Sequence, residues 1–322
     1  MTIDRRQFVG GAGFVLPGLA IAGCASAAES GSSFVLSPPA DRSDATDAIN
    51  AALREHGSVI LQNGEYRVDG TIRVDKHQYL SLAHNAVLRR VAKDTDNMDP
   101  VVVLTGNRAR LVGGRIVTEN DHPRGVLTLG HHSASKDVQY NATQWCLSDC
   151  SIEGRQAPRN VGIWVPNAQA AHRSGQYANY FGFVQNVGIK GADVGILLDE
   201  VANAHRFFGV FFSHMIGAAW ELRGAYANQI FGGFLHLSRD GVTGVRLRNS
   251  TSDKYHDSVY NSFYGFGIEP GGKSSSAYDI ESRCRRNTLF LQSNVTGKSV
   301  DRNGENLISR HGGHWPGIED QN

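Results

Sequence analysis

Lys190, His214 and Arg239 each stand eleven residues after an asparagine, namely Asn179, Asn203 and Asn228. If the segments that open at those asparagines lie on top of one another, the three cations form one column with neighbours about 4.8 Å apart. Such a column would neutralise the carboxylates of a uronic-acid polymer, which β-elimination requires before the acidified proton can be removed. His214 or Tyr180 would then act as base or acid. Lys190, Arg206 or Arg239 would clamp the carboxylate, arginine being favoured for its two-pronged geometry. His205 and His236 occupy neighbouring positions and would flank the same groove. The bland alternative is a solvated basic face. Hydrolysis would instead need two carboxylates about 5 to 9.5 Å apart. Glu221, Asp199 and Asp240 are the nearest candidates, but Arg223, Arg246 and Arg248 fall beside them and favour structural ion pairs.

The remaining chemistry-bearing residues form no recognisable motif. His131, His132 and the stretch from Gln169 to Gln176, with His172 and Arg173, are placed to overhang a groove but lack the spacing of zinc ligands. No short motif gathers the oxygen ligands that calcium would need, and no other cofactor is implied. Phosphate-loop, dinucleotide-binding and Ser-His-Asp patterns are absent. Beyond Cys24, the three cysteines Cys146, Cys150 and Cys284 make no disulfide framework; Cys146 and Cys150 are wrongly spaced for a metal-binding pair and, on one extended strand, about 13 Å apart, beyond the reach of a bridge.

What must position these residues is a repeat. An asparagine, then an aromatic or aliphatic cluster, then a glycine recurs at Asn179, Asn203, Asn228 and Asn261, and Asn287 repeats most of it, at spacings of 24, 25, 33 and 26 residues. The long interval holds the polar run from Asn249 to Ser258, an insertion. Each unit has a second strand whose alternation puts Ile196 and Leu198, Trp220 and Leu222, Val245 and Leu247 on one face, with Leu197, Glu221 and Arg246 on the other. A unit of this length cannot bury its own apolar side, so units must stack. The expected fold is all-β: a single-stranded right-handed parallel β-helix, residues 43–297, with a capping helix at 44–56. In that helix Asp44 is the N-cap, Ile49, Ala52 and Leu53 are apolar, and Gly57 is the stop.

The segment from Asp44 to Ala52, followed by Val59-Ile60-Leu61, Gly64-Glu65-Tyr66 and Gly70-Thr71-Ile72, resembles the N-terminal signature of the pectate-lyase-like β-helix superfamily. The close match covers about 30 residues, and the repeat extends it loosely to residue 297. The resemblance implies an enzyme acting on a polysaccharide or oligosaccharide. A polysaccharide lyase on a uronate-containing glycan is preferred. Alternatives are a glycoside hydrolase, a glycosyl-transferring enzyme, or a non-catalytic glycan-binding or envelope-structural β-helix, monomeric or trimeric. The hydrolase pattern of paired aspartates with His-Gly and Arg-x-Lys is absent.

The first 27 residues read as an export signal: Arg5 and Arg6, then Phe8 and a weakly apolar run, resemble a twin-arginine signal. Cys24 after Ile21-Ala22-Gly23 reads as a lipidation site, which would tether the protein to a membrane. Ala25-Ser26-Ala27 reads as an ordinary cleavage site, which would leave it periplasmic or secreted. Residues 28–42 read as a linker, and 298–322 as a loop-like tail in which His311, His314 and Trp315 cover the far end. With 32 basic and 31 acidic residues there is no global field to attract nucleic acid.

Overall fold

In the computed structural model the described residues are 33–91, 98–130, 142–166, 179–200, 202–251, 257–269 and 273–311. The expectations placed on Arg5, Arg6, Cys24, His131, His132, His172, Arg173, His314 and Trp315 lie outside them. The described residues are predominantly β, with one α-helix, Thr46–His56. No described helix is long and apolar enough to cross a membrane.

Every strand pairing is parallel, and each segment pairs with the one about two dozen residues later. The chain therefore returns to the same line once per turn. Val59, Leu80, Leu111, Leu147, Val184, Phe207, Ile230, Phe263, Leu289 and Ile308 are register partners in unbroken succession, all but the last buried. A second inward line runs from Tyr66 through Leu88, Ile116, Ile152, Ile189, Phe212 and Leu235 to Ile268. A third includes Leu127, Ile163, Ile196, Trp220 and Val245. Each turn thus has three short faces whose alternate residues enter one continuous core. Phe207, Phe212, Phe263 and Phe266 set their rings edge-on around Trp220 at 5.1 to 6.3 Å between centroids.

The corners are repetitive too. Arg108, Gln144, Phe181, Ala204, Ala227, Tyr260 and Arg286 all take positive φ, between 55° and 59°, at the turn from third face to first. Just inside this corner runs an amide ladder. Asn228 donates to Asn261 (2.9 Å), Asn261 to Asn287 (3.1 Å) and Asn287 to Asn306 (2.9 Å) through their side chains. Each acceptor oxygen also takes the backbone N–H of the asparagine before it. Of the asparagines that open the repeats, Asn228, Asn261 and Asn287 are therefore stacked.

Asn203 does not belong to this ladder, because the position level with Asn228 is His205, whose N–H donates to Asn228 Oδ1 at 3.0 Å. Asn179 is likewise off the line, accepting from Trp145 Nε1 at 2.7 Å.

The ends correct three sequence expectations. Phe34–Leu36, within the supposed linker, pairs with Val59 to Leu61 and so forms a strand ahead of the helix. Val300–Asp301 and Leu307–His311, within the supposed tail, continue the stack by pairing with Ser276–Ile280 and Thr288–Ser293. The helix N-cap is Ala45 rather than Asp44, although Asp44 still accepts the Thr46 N–H at 3.0 Å. The helix buries Ile49, Ala52 and Leu53. Asn50 takes the place of a neighbouring strand: it donates to Thr71 O (2.9 Å) and accepts the Arg73 N–H (2.8 Å), satisfying an edge that would otherwise be open.

Candidate functional site

The register decides which side chains are neighbours, and it separates the expected basic column. Lys190 is level with Ser213, and Ser213 with His236. His214 sits one residue past that line in a positive-φ corner, half-buried, its Nδ1 enclosed without a hydrogen-bond partner. Arg239 is exposed in the turn beyond Phe234–His236, on no strand. The true column is mixed in sign. Glu153 beside Lys190 is bridged by Arg115, and His236 Nδ1 contacts Glu269. The basic clamp for a row of carboxylates is therefore absent at these positions. Tyr180, half-buried, lies at another corner, level with Asn203 and Tyr226. It is not brought to His214.

His205 is also corrected. It is fully buried, so it cannot touch a substrate. Its Nδ1 accepts the Gly182 N–H at 2.9 Å, and its ring stacks on Trp145 at 4.9 Å. Burial pushes its pKa down to about 3, leaving a neutral imidazole inside the coil.

The carboxylates are engaged structurally, as their arginine neighbours suggested. Glu221 pairs with Arg223 (2.8 Å) and Arg246 (3.6 Å), and Arg223 reaches Asp199 at 3.6 Å. Burial raises the Asp199 pKa against the opposing pull of Arg223. Asp240, exposed, accepts the Lys273 N–H at 2.8 Å and fixes a turn. Among the described residues no three His, Cys, Asp or Glu side chains converge to hold a metal ion.

What the register does assemble is aromatic. Phe208, Phe231, Tyr264 and Phe290 are level on four successive turns of the first face, pointing outward, and Phe183 leans against Phe208. Centroid separations along this row are 4.9, 5.3 and 5.8 Å, the first two pairs being stacked. Beside it runs a polar outward column of Arg206, Gln229, Ser262 and Thr288. Past the corner glycines Gly209, Gly232 and Gly265, Phe211 and Phe234 extend the apolar surface onto the second face. Phe208 and Phe231 were visible in the sequence as part of each aromatic-glycine cluster. The signal that separates them from core rings is strand alternation: Phe207 and Ile230 enter, so Phe208 and Phe231 leave. Of the residues expected to line a site, Arg206 adjoins the row, and His236 stands beside Phe234 on its second-face extension.

No family model and no curated protein matches the chain. Among solved structures it is similar to PfbA, a surface adhesin of Streptococcus pneumoniae. The identity is 11%, the TM-score 0.51, and the match covers 83% of this chain and 80% of that one. At that identity the likeness is one of fold.

Proposed function

We propose that this chain is an exported, right-handed parallel β-helix of the pectate-lyase-like kind that binds a glycan at a cell surface without cleaving it. The handedness follows from the general rule for parallel crossovers, and the class from the cap-helix and first-turn signature. Export rests on the Arg5-Arg6 segment, with Cys24 as its candidate lipid anchor. The single observation that carries the function is the outward aromatic row with a hydrogen-bonding column beside it. Stacked rings present a flat wall of edges, and Gln229, Ser262 and Thr288 offer amide and hydroxyl groups in step with it, a surface suited to an extended polyhydroxylated chain. Among the described residues the candidate carboxylates Glu221 and Asp199 are held in ion pairs and the expected cations are dispersed, which favours binding over cleavage. The surface-adhesin neighbour supports binding as a use of this fold.

The test uses the mature protein in native gels cast with acidic and neutral polysaccharides. Retardation by at least one of them is expected, with neither new reducing ends nor an unsaturated, ultraviolet-absorbing product on prolonged incubation. The double substitution Phe231→Ala, Tyr264→Ala should lose at least tenfold in affinity. Release of unsaturated fragments from any of these polymers would overturn the non-catalytic reading.

A further inference from the structure

At the corner between third and first faces, side chains on successive turns are Phe181, Ala204, Ala227 and Tyr260. Two large rings thus bracket two methyl groups, across three turns or about 14 Å at ~4.8 Å per turn. Phe181 is 61% exposed and Tyr260 44%. Both take positive φ, 55° and 58°, where a bulky side chain costs about 1 kcal/mol or more and glycine costs nothing. The fold needs a left-handed residue at this corner but not a ring.

Three polar side chains beside the two alanines are idle. Among the described residues Asn203, Arg206 and Gln229 have no side-chain hydrogen bond or ion pair. Elsewhere on the same corner Arg108 is paired, donating to Gln144 at 3.1 Å, and at the far end of the notch Arg286 donates to the Tyr260 hydroxyl at 2.6 Å and lies over its ring, which Tyr226 meets edge-on. Asn203 and Tyr226 edge the alanines on the third-face side, and Arg206 and Gln229 on the first-face side. The floor is small and apolar, the ends are aromatic, and the sides carry an unpaired amide on each flank.

From this juxtaposition we infer that the corner from Phe181 to Tyr260 is a binding notch for about three units of a β-linked, gluco-configured glycan. The inference rests on the glycan-binding reading and gives it a subsite. The row Phe208–Phe231–Tyr264 stacks its rings on one another and offers edges, whereas Phe181 makes only a tilted contact with Tyr180, at 6.0 Å, and keeps a face open. Pyranoses whose ring hydrogens are axial present C–H groups to such a face. Their equatorial hydroxyls then point sideways, where the two amides can donate and accept and the guanidinium can donate. The alanine floor admits the backbone of the sugar chain between the rings.

The test titrates the mature protein with β-1,4-linked glucose and N-acetylglucosamine oligosaccharides of one to six units. Affinity should climb through three units and then level off. Ala227→Trp, which fills the notch, and Phe181→Ala, which opens one end, should each weaken binding at least tenfold. Arg108→Trp, which sets an equally bulky ring at the same positive-φ corner outside the notch, should bind as the wild type does and serve as the folding control. If Ala227→Trp binds unchanged while Phe231→Ala, Tyr264→Ala abolishes retention, the notch is wrong and the aromatic-face reading stands. If the wild type is retained by polysaccharides but shows no oligosaccharide affinity, the notch is likewise wrong. Failure of the wild type to bind any polysaccharide or oligosaccharide would remove both.

Discussion

Asn261 is fully buried and uses its whole amide on the turn: the nitrogen donates to Ala225 O (2.9 Å) and Asn287 Oδ1 (3.1 Å), and the oxygen accepts from Asn228. Asn261→Ala would strand these partners without water, at about 1–3 kcal/mol for each group left unsatisfied. A loss of at least 3 kcal/mol in urea-melt stability is expected, and a loss below 1 kcal/mol would contradict the ladder. His205 occupies the same line with an imidazole whose Nε2 has no partner. Its folded pKa, near 3, lies below the ordinary value of 6.5, so below pH 6.5 the unfolded chain binds the proton and the native one does not. Stability therefore falls with pH there, by about 1.4 kcal/mol per unit. Buried His122, lowered to about 4 chiefly by burial, adds to the slope in the same sense. His205→Asn, which extends the ladder, should remove roughly half of that acid dependence in melts between pH 6.5 and 4. An unchanged slope would argue against a buried neutral His205. The sequence held the clue to this misplacement. The ladder asparagines stand two residues before an inward residue, as Asn228 does before Ile230 and Asn261 before Phe263, whereas Asn203 stands four before Phe207. Asn179, Asn203 and Asn228 thus stand at three different phases, and one count of eleven from each carried the expected site off the line of Lys190, Ser213 and His236, onto His214 and Arg239.

Elements were more readable than sites, because core alternation survives small errors of phase. Ile196, Trp220 and Val245 enter the core and Leu197, Glu221 and Arg246 form the outward line, as the alternation requires. The outer strands were harder. Among the described residues Phe34–Leu36 and Leu307–His311 each pair with one neighbour, and their exposed Val35 and Leu307 blur the pattern. The helix illustrates a function that hydrophobic periodicity does not register. Its apolar side was evident, but Asn50 acts through a backbone-like pair of bonds to Thr71 and Arg73. Asn50→Ala should cost about 1 kcal/mol, since solvent reaches part of that edge, and should speed hydrogen exchange at 71–74 more than in the distal turns. Equal acceleration along the whole stack would mean that the helix is not an edge cap.

At the scale of the molecule, a stack of near-identical turns converts sequence separation into a spacing of one strand width. Residues 19 to 37 apart become the nearest neighbours, whether amides, rings or ions. On the third face this yields the run of ion pairs from Asp199 through Arg223 and Glu221 to Arg246, and on to Arg248, Asp279 and Arg302. On the first face it yields the aromatic row and the notch. A near-neutral chain cannot use a long-range field to find its partner, so recognition must come from such local columns. The most direct test is a crystal soaked with the β-linked oligosaccharide that the protein retains most strongly. Sugar rings should lie along the first face and its corner, over Ala204 and Ala227 with Arg206 and Gln229 in hydrogen-bond reach. Sugar seated instead on the second face, against Lys190, Ser213 and His236, would contradict the account.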